Sequence, residues 1–205
     1  MKARVVLVHG LWMHAPALLY WARRLRRAGF RAETFSYRSL MQAPEQSMQR
    51  LRDCVLAEPG THVIGHSLGG LMAVQALQSC REYSGHIVCV GSPLAGSAVV
   101  RQHANSPLRV LAGRSAQLLT RGFPAVPGGL RVSMIAGTRP SGLGRWVHRF
   151  SEDSDGSVGL SETRIPGLVS HIALPVSHSG MLISRAVVAE AIRMLDSTDA
   201  AGKSL

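Results

Sequence analysis

A chain of 205 residues with 46% hydrophobic content suffices for one domain with a sizeable core, and no apolar run reaches the about 18 residues that a membrane span requires. Three cysteines, at 54, 80 and 89, give neither an even disulfide set nor metal-ligand spacing, so they read as small buried hydrophobes. The net charge of +11 would suit nucleic acid, an anionic membrane or an acidic substrate, but the arginines are dispersed and no aromatic-rich basic surface offers base stacking, so no nucleic-acid partner is expected.

Met1-Lys2-Ala3-Arg4 leads into Val5-Val6-Leu7-Val8, too short for the apolar region of a secretory signal. The expectation is a cytoplasmic protein whose first strand, residues 4–9, is buried in a parallel sheet. Residues 15–28 carry Leu18, Leu19, Ala22 and Leu25 at helical spacing up to Gly29, and place Arg23, Arg24, Arg26 and Arg27 on a solvated face. A strand at 31–37 precedes a helix at 44–57, opened by Pro44 and ended near Pro59-Gly60. A third strand, 62–66, runs straight into a helix at 68–80, and a fourth follows at 86–91.

The alternation then lapses. Residues 95–130 hold Gly, Pro and Arg with short apolar clusters (Leu108, Leu111, Leu118, Leu119), which predicts a loop with one or two short helices. Strands resume at 131–137 and 168–174, separated by a polar loop at 150–162, and a helix at 180–195 closes the domain. The expected architecture is a single α/β domain over residues 1–196. It is a doubly wound, mainly parallel sheet of about six strands with helices on both faces. Residues 197–205 form a flexible polar tail. In such sheets ligands bind beyond the carboxyl ends of the strands.

At one of those ends stands Gly65-His66-Ser67-Leu68-Gly69, the G-x-S-x-G pattern between an apolar strand and an apolar helix. Glycines two before and two after the serine let strand and helix approach closely. The sharp turn lifts the hydroxyl clear and aims it at a helix N-terminus, where partial positive charge favours an oxyanion. The plainer alternative is a tight turn with an incidental serine. His66 is a tempting base, but neighbours on such a turn point to different sides, so it reads as structural.

This segment resembles the nucleophile elbow of α/β-hydrolases, in particular of small bacterial lipases and esterases. His9-Gly10-Leu11 resembles their His-Gly signature, and Gly91-Ser92-Pro93-Leu94-Ala95-Gly96-Ser97 their Gly-Thr-Pro-His-x-Gly-Ser, with Leu94 where histidine is common. The resemblance implies a minimal fold with a small cap or none, any cap lying in 95–130, and backbone N–H groups of Leu11 and Leu68 as the oxyanion hole.

A serine hydroxyl needs a base, and the base a carboxylate. Asp155, in Ser154-Asp155-Gly156-Ser157-Val158, resembles the acid of the family's Asp-Gly-x-Val segment; Asp153 and Glu152 are rivals on the same loop, and a solvated acidic loop is the bland reading. His178, between the last strand and last helix, stands where the family keeps its base, whereas His171 would lie on the strand itself. Because the imidazole must be neutral, activity is expected to climb as pH passes the ordinary histidine pKa near 6.5. Leu11, Trp12 and Met13 border the expected site and suit an apolar acyl part, although Trp12 would serve equally to pack the first helix. Arg101, Arg109, Arg114 and Arg121 give weak grounds for an anionic substrate or lipid surface.

The expected activity is hydrolysis of carboxylic esters through an acyl-serine intermediate, with no metal and no cofactor. Thioesterase or acyltransferase chemistry would use the same residues. A catalytically silent binding protein, or a basic membrane- or nucleic-acid-binding module, are the readings from other classes.

Overall fold

The computed structural model describes residues 2–37, 42–102, 114–141 and 150–202. Its frame is a six-stranded sheet in the order β2-β1-β3-β4-β5-β6, built from β1 (Arg4–Val8), β2 (Arg31–Phe35), β3 (His62–His66), β4 (His86–Val90), β5 (Arg131–Gly137) and β6 (Ser170–Leu174). Every adjacent pair is parallel. Parallel pairs need crossovers, and these carry α1 (Leu19–Arg27), α2 (Pro44–Leu56), α3 (Leu68–Leu77), the short α4 (Ala98–Gln102) and α5 (Ala116–Arg121), with α6 (Arg185–Gly202) closing the chain.

Because strand side chains alternate, a central strand feeds two cores. Val6 and Val8 of β1 join the core beneath α2 and α3, with Leu51, Val55, Leu71 and Leu77. Val5 and Leu7 join the opposite core, with Trp21 and Leu25 of α1 and Val188 and Leu195 of α6. Helices therefore cover both faces, as expected.

On α1, Trp21, Ala22 and Leu25 are buried while Arg23, Arg26 and Arg27 face solvent. Gly29 (φ 95°) ends it, and the Phe30 N–H returns to the Leu25 carbonyl at 3.1 Å, a left-handed closure that glycine adopts without strain. Pro44 opens α2.

Two expectations shift at the far end. Residues 180–182 make a 3-10 turn, and the helix proper starts at Arg185 and continues to Gly202, beyond the expected end at 195 and into the stretch expected as a tail. Two polar residues at this end of the helix have distant partners: buried Thr198 lies 2.7 Å from His86 Nδ1, and Asp196 pairs with Lys2. Between residues 95 and 130, α4 and α5 are the short helices of the described part; Leu108, Arg109 and Leu111 lie outside the described residues. No helix among the described residues is long and apolar enough to cross a membrane.

Candidate active site

β3 ends in His66, and the next residue reverses the backbone: Ser67 has φ 54° and ψ −122°, a conformation rare for any residue with a Cβ. Holding it costs about 1–3 kcal/mol and needs surroundings that over-determine it. Those surroundings are glycines. A Cβ on Gly65 would come within 2.5 Å of Gly70 Cα, one on Gly69 within 2.7 Å of the His9 carbonyl oxygen, and one on Gly70 within 2.9 Å of Ser92 Cβ. The Ser67 N–H donates to the Val90 carbonyl at 2.9 Å. Ser67 is half-buried, and Leu68, the first residue of α3, is fully buried.

The His9-Gly10-Leu11 loop crosses directly over this turn. A Cβ on Gly10 would stand 3.0 Å from Ser67 Cβ, so any larger residue would crowd the serine. The loop is held from behind: the His9 ring stacks on Tyr37 at 4.3 Å, and the Tyr37 hydroxyl donates to the His9 carbonyl at 2.8 Å. His9 Nδ1 donates to the Gly10 carbonyl at 2.9 Å, and burial lowers the ring's pKa. Leu11 and Leu68 are thus the next residues along from two that touch. Beyond them Trp12 takes a positive φ of 60° and is 59% exposed, with half-buried Met13 beside it. Leu94, standing where the lipase segment keeps histidine, is fully buried in the α3-side core.

The acid loop follows β5. Asp155 is buried, and its Oδ1 accepts the N–H groups of Ser157 and Val158, both at 2.8 Å. Its Oδ2 lies 2.6 Å from His178 Nδ1, and its main-chain carbonyl accepts the His178 N–H at 2.9 Å. The rivals do not reach: Asp153 and Glu152 are exposed, and Glu152 accepts the Ser161 N–H at 2.9 Å. His171, on β6, pairs instead with the Thr163 hydroxyl at 2.8 Å.

This acid–imidazole pair lies against the turn that carries the serine. A Cβ on Gly91, the residue after Val90, would stand 3.1 Å from Asp155 Oδ2 and 3.3 Å from His178 Nδ1. The hydrogen bonds of His178 run to Asp155 and His66, and among the described residues none joins it directly to the Ser67 hydroxyl.

Two partners of the site carry no sequence signal. Tyr37 belongs to the core cluster but spends its hydroxyl on the loop over Ser67. Glu162 sits in a polar stretch that reads as solvated, yet it is buried. Its carboxylate accepts the Gly159 N–H at 2.9 Å and the Ala98 N–H at the start of α4, and its carbonyl accepts the Ala95 N–H at 2.8 Å. It ties the acid loop to the segment after β4, and burial raises its pKa. Only the long-range contact reveals either role.

The model of the alpha/beta hydrolase family matches residues 5–186. Among solved structures, Bacillus licheniformis lipase BlEst2 in mature form superposes with a TM-score of 0.77 at 18% identity, over 95% of this chain and 92% of that one. The metagenomic carboxyl esterase MGS0156 gives 0.68 at 16% identity, over 99% of this chain and 76% of its own. A bromoperoxidase from Bacillus anthracis gives 0.66 at 14% identity, over 96% and 92%. No curated protein sequence matches. The structural likenesses speak for the fold, and the family match spans most of the sequence. The chain belongs to the α/β-hydrolase family.

Proposed function

We propose that this hydrolase cleaves carboxylic esters through an acyl-serine intermediate on Ser67, with His178 as base and Asp155 as the acid that orients it. The observation that carries the reading is the Asp155–His178 pair at 2.6 Å, seated beside the strained turn that bears the serine.

With Nδ1 engaged by Asp155, His178 has Nε2 free to take the Ser67 proton. The deprotonated Oγ adds to the ester carbonyl, and the charge that develops on the carbonyl oxygen is met by the Leu11 and Leu68 backbone N–H groups. Collapse expels the alcohol, which takes the proton back from His178. Water, deprotonated by the same imidazole, then releases the acid and restores the serine. Asp155 stays ionised throughout and stabilises the imidazolium. Trp12 and Met13, at the mouth, offer apolar surface to the acyl part. The lipase and carboxyl esterase among the structural neighbours favour esters over other acyl compounds, and thioester chemistry would use the same residues.

The test is labelling by a fluorophosphonate, compared with Ser67→Ala. Labelling that disappears in the variant, with hydrolysis across a p-nitrophenyl ester series of rising chain length, is the expected result. Folded wild-type protein that takes no label would overturn the reading and favour a silent binding protein of the same fold.

A further inference from the structure

We propose that His66 is the positioning residue that sets the separation of nucleophile and base, by tethering the main chain of His178 to the residue bonded to Ser67. The inference rests on the ester-hydrolase reading above.

His178 is fixed at three points. Asp155 supplies two, through the ring Nδ1 at 2.6 Å and the main-chain N–H at 2.9 Å. Both refer His178 to the loop after β5, and neither refers it to β3, where the serine is. The third does: His66 Nε2 lies 3.1 Å from the His178 carbonyl, and the two rings pack at 4.8 Å. A carbonyl only accepts, so Nε2 must carry the hydrogen. The peptide bond from His66 to Ser67 then makes one short path from the base's main chain to the nucleophile.

The chemistry of the tether suits its place. A neutral imidazole has one N–H, so His66 Nδ1 is bare; it is buried with no partner among the described residues, 3.3 Å from where a Cβ on Gly10 would stand. Protonating it would bury an unsatisfied N–H beside a second imidazole. Burial first, and then the neighbouring His178, hold its pKa down to about 3. His66 therefore stays a neutral donor while His178 cycles through its cationic form, and the tether does not slacken in mid-reaction. Proton transfer needs heavy atoms within about 3 Å, and a misplacement of about 1 Å can cost about a hundredfold in rate.

The test contrasts two amides of similar polarity. In His66→Gln the side-chain nitrogen falls near the place of Nε2 and can still donate; in His66→Asn it stops one bond short. After thermal unfolding of each variant is recorded, the rate of fluorophosphonate labelling and the kcat and KM for a p-nitrophenyl ester are measured. The expected result is a fall in kcat and labelling rate of at least about tenfold in His66→Asn, with KM within about twofold, while His66→Gln keeps at least about a third of kcat. His66→Phe, which keeps a ring but has no donor, should behave like Asn and replaces it in the contrast if Asn does not fold. Equal losses in Gln and Asn, or a change in KM with kcat intact, would overturn the tether. Loss of the underlying reading looks different: wild type itself takes no label, or labels as Ser67→Ala does, and both proposals fall.

Discussion

Asp155 holds His178 by both its side chain and its main chain, with the carboxylate 2.6 Å from Nδ1 and the carbonyl accepting the histidine N–H at 2.9 Å. The second oxygen of the carboxylate is committed to two loop N–H groups. In Asp155→Asn the amide oxygen will therefore stay with the loop and its NH2 will face Nδ1, forcing the wrong imidazole tautomer. The expected result is a loss of kcat of about 10⁴-fold with little change in Tm. Ester turnover followed beside a melting curve checks it; a melt lowered in step with activity would mean the loop itself had failed.

Gly10 and Gly69 separate catalysis from folding. An added methyl at Gly10 would stand 3.0 Å from Ser67 Cβ, 3.2 Å from the His66 carbonyl oxygen and 3.3 Å from His66 Nδ1, contacts that yield by a few tenths of an ångström, and should shift Ser67, lowering kcat by about ten- to a hundredfold while the protein still folds. At Gly69 the methyl would meet backbone, the Val8 and His9 carbonyls, which cannot yield. Gly69→Ala should therefore fail to give soluble, cooperatively melting protein. Gly69→Ala melting like wild type would contradict the packing described for the elbow.

Acid should destabilise the fold through His86. Its ring lies between the hydroxyls of Thr198 on α6, at 2.7 Å, and Ser133 on β5, at 2.9 Å, and the His86 main-chain N–H donates to His62 Nδ1 at 3.0 Å. Burial, with His62 and Arg131 nearby, brings its pKa down to about 4, against about 6.5 in the unfolded chain. Between those values the unfolded chain holds the extra proton, so the stabilisation is whole above about pH 6.5 and drains as pH falls toward 4. Glu162, with its raised pKa, works in the opposite sense. The His86 part is thus read as a difference: Tm against pH from 7 to 4.5 should be steeper in wild type than in His86→Gln. Parallel curves would rule His86 out.

Glu162→Gln tests the brace between the acid loop and α4. One of the two backbone N–H groups now served by the carboxylate would lose its acceptor, a cost of about 1–3 kcal/mol. Looser Asp155 and lower kcat should accompany the fall in Tm, and the thermal and kinetic losses are measured on the same preparation. A normal Tm with normal kcat would show that the brace is dispensable.

The strands and their parallel pairing are legible in the sequence because Val, Ile and Leu runs between helical stretches leave few other folds; the motifs at 9–11 and 65–69 fall at the ends of β1 and β3, and 155–158 lies in the loop that follows β5. The last helix runs past its expected end because Thr198 looks like a tail residue, and only its contact with His86, far away in the chain, makes its polarity compatible with a docked helix. The preference for His178 over His171 drew on position relative to the last strand; the Thr163 partner that occupies His171 is invisible without coordinates. His66 reads as structural from sequence, and its hydrogen bond crosses 112 residues.

The elbow glycines leave α3 no clearance from β1 or from the loop over the serine: Gly69 lies against Val8 and His9, and Gly65 against Gly70. A joint without slack cannot soften on its own. Heating should therefore extinguish reactivity and ellipticity in a single transition, with no temperature at which an intact fold carries a disarmed serine.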